Sequence, residues 1–351
     1  MTYLIDPIGP GNKNAFLALI QEQAAQHKAA IAHDESAADA LHQATCKPDG
    51  TNAFVVVAAR DNTVVGTATY YPCVTMHGAG IYLDDIVTTA SERGKGVGSF
   101  ALSHLAQRAL QVGKYIALEC AFHNANAQKF YDGLRAKRLQ DRHTWRKLGA
   151  FHQASVEATS AQVAFTIRPT KSSDADAVAK LFAQHANKES SGVILGIQDG
   201  SIIANRDFVL TVAEDHSGKV VGAVIAHRSY SSFRNEAGIH MDRMTMNESS
   251  PGLAQAFLAH YGKIQQARNW SGNLDITIDN GDALFLKPIF MRHGITPLSY
   301  GNDPMVVRRI EGHALVDLAQ RTALPKGIEE RLSRPRSKCS GGRLMIFEGQ
   351  Q

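Results

Sequence analysis

The stretch LDDIVTTASERGKGVGSFALSHLAQRALQVGK, Leu83 to Lys114, decides the fold. Leu83 to Thr88 carries β-branched residues at strand spacing. Leu102, Leu105, Ala106, Ala109 and Val112 then recur at the 3.6-residue period of a helix, with Gly113 placed to end it. Between the two lies Arg93-Gly94-Lys95-Gly96-Val97-Gly98-Ser99. A loop of this kind opens a helix whose first amides lack internal partners and whose dipole favours an anion. Glycine lets those amides approach a phosphate closely, and Arg93 and Lys95 add charge. The constellation suits a pyrophosphate. Glycines at 94, 96 and 98 do not spell the GxGxxG dinucleotide fingerprint, and the GxxxxGK-Ser/Thr phosphate loop is absent.

With 351 residues the chain is too long for one core, so two domains are expected. Hydrophobic residues at 44%, charged residues at 20% and a net charge of +4 argue against a nucleic-acid partner or a disordered chain. No apolar run reaches membrane-spanning length, and the N-terminus MTYLIDPIGPGNKNAF lacks the layout of a signal peptide. Cys46, Cys73, Cys120 and Cys339 show no metal spacing, and neither do the fifteen histidines, His104 and His240 included. These features lead us to expect a cytoplasmic protein with no metal, no membrane contact and no nucleic acid, its basic segment ERLSRPRSK being a solvated tail.

The chain contains one pattern twice. Val64-Val65-Gly66 matches Val220-Val221-Gly222, Ala79-Gly80-Ile81 matches Ala237-Gly238-Ile239, and Phe54 is paired with Phe208. Upstream, IDPIGPGNKNAFLALIQE from Ile5 resembles IRPTKSSDADAVAKLFAQ from Ile167, each a short strand, a turn with proline and an amphipathic helix. Both halves read as α/β around a mixed sheet. The expected division is a catalytic unit at 1–148, a small polar linker at 149–162, a second unit at 163–310 and a C-terminal helix (HALVDLAQR) and tail at 311–351.

Arg93-x-x-Gly96-x-Gly98 between strand and helix resembles the acetyl-CoA loop of the GNAT N-acetyltransferase superfamily. YIALECAFHNANAQKFYDGLRAKRL resembles that family's next strand and its Asn…Phe-Tyr helix, and YLDDIVTTASERGKGVGS is more specifically similar to spermidine/spermine (diamine) N-acetyltransferases. The resemblance implies a tandem GNAT fold, acetyl-CoA as co-substrate and transfer of its acetyl group to a primary amine of a small molecule. The acceptor would be diamine-like or amino-acid-like. It implies Arg93 to Ser99 around the pyrophosphate, the backbone of Ile86, Val87 and Thr88 along the pantetheine like an added strand, and Asn124 near the pantetheine or capping its helix. Tyr131 falls at the place of the acid that protonates the thiolate, and Asp84 and Asp85 at the place of the acidic pair that takes the amine's proton. Adjacent strand residues face opposite sides, so both aspartates enter one site only if the strand is bulged. Arg135 stands where the family's helix-ending glycine is expected, with Gly133 as the alternative terminator. Protein lysine or N-terminal acetylation, and a coenzyme A-binding module without turnover, remain open at this point.

The second half lacks the matching parts. Asp242 aligns with Asp84, but Arg243 replaces Asp85, Pro251 replaces Arg93, Leu253 replaces Lys95, Ala254 and Ala256 replace two glycines, and Phe290 replaces Tyr131. Proline removes an amide and the methyl groups obstruct a phosphate. A degenerate copy is expected, in a monomer whose halves imitate a dimer or in a homodimer.

Overall fold

Runs such as Val55-Val56-Val57 and Ile239 to Met246, dense in β-branched and long apolar residues, build two sheets whose faces are covered by amphipathic helices. The computed structural model describes residues 2–26, 52–140, 142–149, 165–184, 191–247, 251–300 and 303–321. The first half gives β1 (Tyr3–Pro7), α1 (Lys13–Gln26), β2 (Asn52–Ala58), β3 (Thr63–Thr75), β4 (Gly78–Thr88), α2 (Val97–Val112), β5 (Tyr115–Ala121), α3 (Ala125–Gly133), β6 (Lys137–Arg138) and β7 (Arg142–Lys147). The second gives β8 (Thr166–Pro169), α4 (Ala175–Gln184), α5 (Ser191–Gln198), β9 (Phe208–Glu214), β10 (Val220–Ser231), β11 (Glu236–Met246), α6 (Pro251–Ala267), β12 (Leu274–Asp279) and α7 (Asn280–Arg292). It continues with β13 (Thr296–Pro297), β14 (Ser299–Tyr300), β15 (Asp303–Glu311) and α8 (Gly312–Gln320). Cys46, Cys339, most of the 149–162 linker, the basic tail and the RLMIF run lie outside the described residues.

The two halves repeat one topology, and they exchange their last long strand. The first sheet runs β1-β2-β3-β4-β5-β15-β14, with β6 on β15; the second runs β13-β7-β12-β11-β10-β9-β8. Thus β15, from the second half, pairs antiparallel with β5 from Met305–Ala121 to Glu311–Tyr115. In return β7 pairs with β12 from Leu274–Lys147 to Asp279–Arg142. The units read along the chain therefore differ from the sheets by one strand each. The expected tail is also part of the first core: Leu315 and Leu318 of α8 are buried with Leu102, Leu105 and Ile310, and Ser103 Oγ donates to the Leu318 carbonyl at 2.7 Å.

The register corrects one repeat anchor. In the β3–β4 ladder the bulge falls between Thr69 and Tyr70, and in β10–β11 between Ile225 and Ala226, so Ala68 and Val224 are equivalent. Phe54 lies opposite Ala68, but Thr211 lies opposite Val224. The counterpart of Phe54 is therefore Thr211, three positions past Phe208. A strand apolar on both faces offers aromatic anchors at several registers, and the pattern alone chose the wrong one.

Two helix ends differ from expectation in their cause. Gly113 does follow α2, but in extended backbone. It is required because a Cβ there would meet the Ala79 carbonyl oxygen at 2.1 Å. After α3, Arg135 adopts the left-handed conformation itself, at φ 57°, while Gly133 stays helical. Arg135 N–H bonds to the Asp132 carbonyl and Ala136 N–H to the Tyr131 carbonyl, the paired closure of a Schellman end. In the second half Gly294 does the same at φ 66°, with Ile295 N–H on the Phe290 carbonyl. Tyr131 and Phe290 thus occupy matching helical positions.

Candidate active site

Parallel pairing between β4 and β5 runs from Ile81–Ile116 to Leu83–Leu118, and beyond it the strands part. Asp85 to Thr88 keep their pairing with β3 on the other side. Their β5-facing edge borders a cavity of about 1510 Å³. Ile86, Val87 and Thr88 line it, as do Arg93, Gly94, Gly96, Val97, Gly98 and Ser99 at the start of α2, and Asn124 and Tyr131 on α3.

The glycine loop has the shape that an anion cradle requires. Gly94 and Gly96 hold φ values of 75° and 92°, which side-chain-bearing residues rarely adopt, and a Cβ on either would point into open space. Gly96 caps α2, so the amides of Val97, Gly98 and Ser99 have no carbonyl one turn earlier in the helix. The two cations of the loop are unequal. Arg93 donates to the Thr88 carbonyl at 3.2 Å and to Glu22 at 3.2 Å, beside the cavity. Lys95 turns to the buried Glu92 at 3.2 Å and is not part of the cavity wall. Arg60 holds the same Glu92 oxygen at 2.9 Å, so this carboxylate anchors the loop from behind. Asn124 caps α3, its side-chain oxygen accepting from Ala127 N–H at 3.0 Å.

The aspartates meet because β4 is bulged. Thr69 lies opposite Asp85 and Tyr70 opposite Leu83, leaving Asp84 as the extra residue. Both carboxyls then reach one residue of the other half. Ser232 N–H donates to Asp84 Oδ2 at 3.1 Å and Ser232 Oγ to Asp85 Oδ2. Gln23 of α1 donates to Asp85 Oδ1 at 2.8 Å. Burial first, then the neighbouring Asp85 charge, pushes the Asp84 carboxyl well above the usual carboxylate range, against the Ser232 amide and Arg146. Burial likewise raises the Tyr131 phenol, helped by Cys120 and opposed by Arg308.

Several residues on this site come from the second half. Ser229 to Arg234, Asn273 and Asp275 line the wall facing β4 and β5. Arg146, on the exchanged strand β7, pairs with Asp275 at 2.6 and 2.9 Å. Glu119 lines the cavity and accepts from Thr144 Oγ1, while burial raises its carboxyl. Beneath α3, the fully buried Arg308 of β15 donates to Asp132 Oδ1 at 2.7 Å and to Gln128 Oε1, its guanidinium carbon 6.0 Å from the Tyr131 ring centre. Nothing in the local sequence of Ser232 or Arg308 marks them, because only the strand exchange and the packing of the halves bring them here.

In the second half β11 carries the same bulge, with Asp242 as the extra residue between Met241 and Arg243. Arg142, again from β7, lies 3.1 Å from Asp242 Oδ1. Burial pulls the Asp242 carboxyl up, but the Arg142 guanidinium, through its charge and its hydrogen bond, and His240 together hold it below the usual range. Leu253 and Ala254 are buried where the first half has its open loop. Arg243 contacts Asp279. The cavity beside Asp242 measures about 20 Å³, room for about one water.

His227 and His240 lie with ring centres 5.1 Å apart next to Tyr71 and Tyr82, the equivalent residues of the first half. Burial drives His227 down to about 3, which keeps it neutral. His104 packs edge-on against Phe54, and burial lowers it to about 4. Among the described residues no group of three or more His, Cys, Asp or Glu is placed to hold a metal, and no helix is long and apolar enough to cross a membrane.

Residues 17–134 match the model of the acetyltransferase (GNAT) family. That segment runs from α1 to the end of α3 and contains the parted strands, the glycine loop and the Tyr131 helix. The match is to a family that draws its acyl group from acetyl-CoA, and it supports an acyltransferase enzyme. Among solved structures the chain is similar to a tandem GNAT protein from the clavulanic acid biosynthesis pathway. The two are 13% identical, with 88% of this chain and 98% of that one covered, at a TM-score of 0.47. It is also similar to a GCN5-related N-acetyltransferase from Sphaerobacter thermophilus, 13% identical over 88% of this chain and 95% of that one, at a TM-score of 0.48. No curated protein matches the chain.

Proposed function

We propose that the first unit, completed by the second, transfers the acetyl group of acetyl-CoA to a primary amine of a small molecule. The observation that carries this reading is the bulge at Asp84, which turns two carboxyls into the cavity that the glycine loop and Tyr131 also line. The amides at the start of α2, with Arg93, suit the pyrophosphate. The open edge of Ile86 to Thr88 suits the pantetheine amides.

An alkylammonium with a pKa near ~10.4 must lose a proton before it can attack. An exposed aspartate near ~3.9 is too weak a base for that; burial keeps a proton on Asp84, and the carboxylate beside it, in a pair with raised proton affinity, is the group left to take the amine's proton. The ammonium gives one proton to the aspartate pair; as the freed nitrogen then bonds to the thioester carbon, the carbon–sulfur bond breaks and Tyr131, whose raised pKa keeps it protonated at neutral pH, donates to the departing sulfur. The second proton that the nitrogen sheds in forming the amide returns to the Tyr131 phenolate, directly or through solvent. The wall built by Ser229 to Arg234, Asn273 and Asp275 faces the acid pair and favours a small acceptor over a protein chain. The acid pair and Glu119 favour its cationic end.

The test is acetylation of an amine panel read by mass spectrometry, run with the wild type, Asp84→Asn and Tyr131→Phe. A small amine acetylated by the wild type and poorly by both variants is expected. Acetylation confined to peptide lysines, or full activity in both variants, refutes the reading.

A further inference from the structure

We propose that Ser232, a residue of the second half, is a positioning residue for the acid pair. Its amide and hydroxyl hold Asp84 and Asp85 in one arrangement and fix which of them carries the proton. This rests on the reading of the pair as the proton acceptor.

The turn that presents Ser232 is well determined. It joins β10 to β11, with Arg234 N–H on the Ser231 carbonyl at 3.3 Å. Asn235 stands in the left-handed region at φ 53°, where asparagine is tolerated, and its side-chain oxygen accepts from the Tyr230 hydroxyl. Ser232 itself is 1% exposed. Its two donors are therefore delivered by a fixed backbone to carboxyls that come from the other half of the chain.

The donors are distributed unequally. Asp85 receives two side-chain donors, Ser232 Oγ–H and Gln23 Nε2–H, whereas Asp84 receives the Ser232 amide. A donor favours the charged form of the carboxylate that accepts it, and two adjacent carboxylates resist ionising together. The charge settles on Asp85 and the remaining proton on Asp84. The other groups facing this region are Tyr71 from β3, Glu119 from β5, Tyr131 from α3, Arg146 from β7, Tyr230 from β10, Arg234 from the β10–β11 turn, Glu236 from β11 and Asp275 from β12. The two cations among them are paired, Arg146 with Asp275 and Arg234 with Glu236.

The second half shows what a different partner does at the same backbone position. Asp242, at the equivalent bulge, is contacted across the halves by the Arg142 guanidinium. A cation holds a carboxylate ionised and makes it a poor base. A serine orients its carboxylates without adding positive charge, so the pair can still take up a proton.

The experiment is the pH dependence of kcat for the full-length protein with a small-amine acceptor, comparing wild type with Ser232→Ala, Ser232→Cys and Ser232→Thr. Loss of a hydrogen bond to a charged group should move the acid limb of the Ser232→Ala profile upward by roughly one to two pH units. The Michaelis constant for acetyl-CoA should stay constant, because the loop is untouched. Ser232→Cys, nearly isosteric with a weak donor, should shift in the same direction, and Ser232→Thr should return towards wild type. Profiles of Ser232→Ala and Ser232→Cys that superimpose on the wild type, while Asp85→Asn abolishes turnover, overturn the role of Ser232 and leave the acid pair standing. Full turnover in both Asp84→Asn and Asp85→Asn overturns the pair and Ser232 together.

Discussion

Replacing the two equivalent aspartates by asparagine should change stability in opposite directions. Asp84 has a folded-state pKa raised by burial and by Asp85. In the unfolded chain it ionises near ~3.9. Above that pH the unfolded state gains by releasing a proton that the folded state still holds, so Asp84 lowers stability as pH rises towards its folded pKa. An asparagine at this position stays neutral and can still accept from the Ser232 amide, so Asp84→Asn should raise the unfolding midpoint at neutral pH while lowering acetylation. Asp242 is the reverse case, held ionised chiefly by Arg142, with His240, against burial. Its contribution is present above ~3.9 and fades as pH falls through its lowered folded value. Asp242→Asn leaves the largely buried Arg142 with Asp279, at 3.4 Å, as its remaining carboxylate and with the backbone carbonyl of residue 242. Breaking a buried pair in this way costs about 3–5 kcal/mol, and the remaining Asp279 contact places the expected loss near the lower end. Urea unfolding of both variants at neutral and at acidic pH, followed by tryptophan fluorescence and circular dichroism, provides the assay. The neutral-pH changes should differ in sign, and both should shrink on acidification. Two changes of the same sign, or a pH-independent difference, would refute the argument.

Gly96→Asp, at φ 92° and facing the loop's amides, should weaken acetyl-CoA binding at least about tenfold by calorimetry, through backbone strain and a like charge near phosphate. Arg93→Ala should weaken it less, since Arg93 must first release Glu22. Tyr131→Phe should lower kcat by roughly 10²–10⁴, with the Michaelis constant for acetyl-CoA little changed; near-normal turnover would leave Tyr131 a packing residue. A fragment of residues 1–149 should fail to unfold cooperatively, because it lacks the buried Ile310, Leu315 and Leu318. Full burial of such side chains stabilises by about 1.5–3 kcal/mol each, against a typical total of about 5–15. Coexpression with residues 150–351 should restore a complex.

The glycine loop, the helix behind it and the doubled topology were legible because each depends on local rules: strand and helix period, helix-start chemistry and turn residues. The sequence reading also set the condition for Asp84 and Asp85 to share a site, namely a bulge in β4, although the pattern LDDIV looks the same bulged or regular. Arg135 was visible as an oddity, but the sequence could not show that an arginine would take the left-handed place that Gly294 keeps. The exchange of β7 and β15 was not legible. A strand of suitable apolar pattern satisfies either sheet, and the choice depends on how the halves pack. The slip from Thr211 to Phe208 has the same origin, since several registers place apolar residues on a buried sheet. Ser232, Gln23 and Arg308 carry no motif, and they matter only because of what they face.

The exchange gives a physical reason for a second copy that has lost its own cleft. The β5 edge of the first sheet is closed by β15, the helix carrying Tyr131 rests on Arg308 from that strand, and the acid pair is held by a serine from the β10–β11 turn. Substitutions such as Pro251, Leu253 and Arg243 remove a phosphate cradle and a carboxylate from the second half, yet none of the three is a partner in these contacts. A copy can therefore shed its chemistry while the interface that serves the other copy stays under constraint. The equivalent bulges show how little backbone change this requires. Asp84 and Asp242 sit on the same irregularity of equivalent strands, and the residue that reaches each from the opposite half, a serine in one case and an arginine in the other, decides whether the carboxyl can hold a proton or is locked as a structural anion.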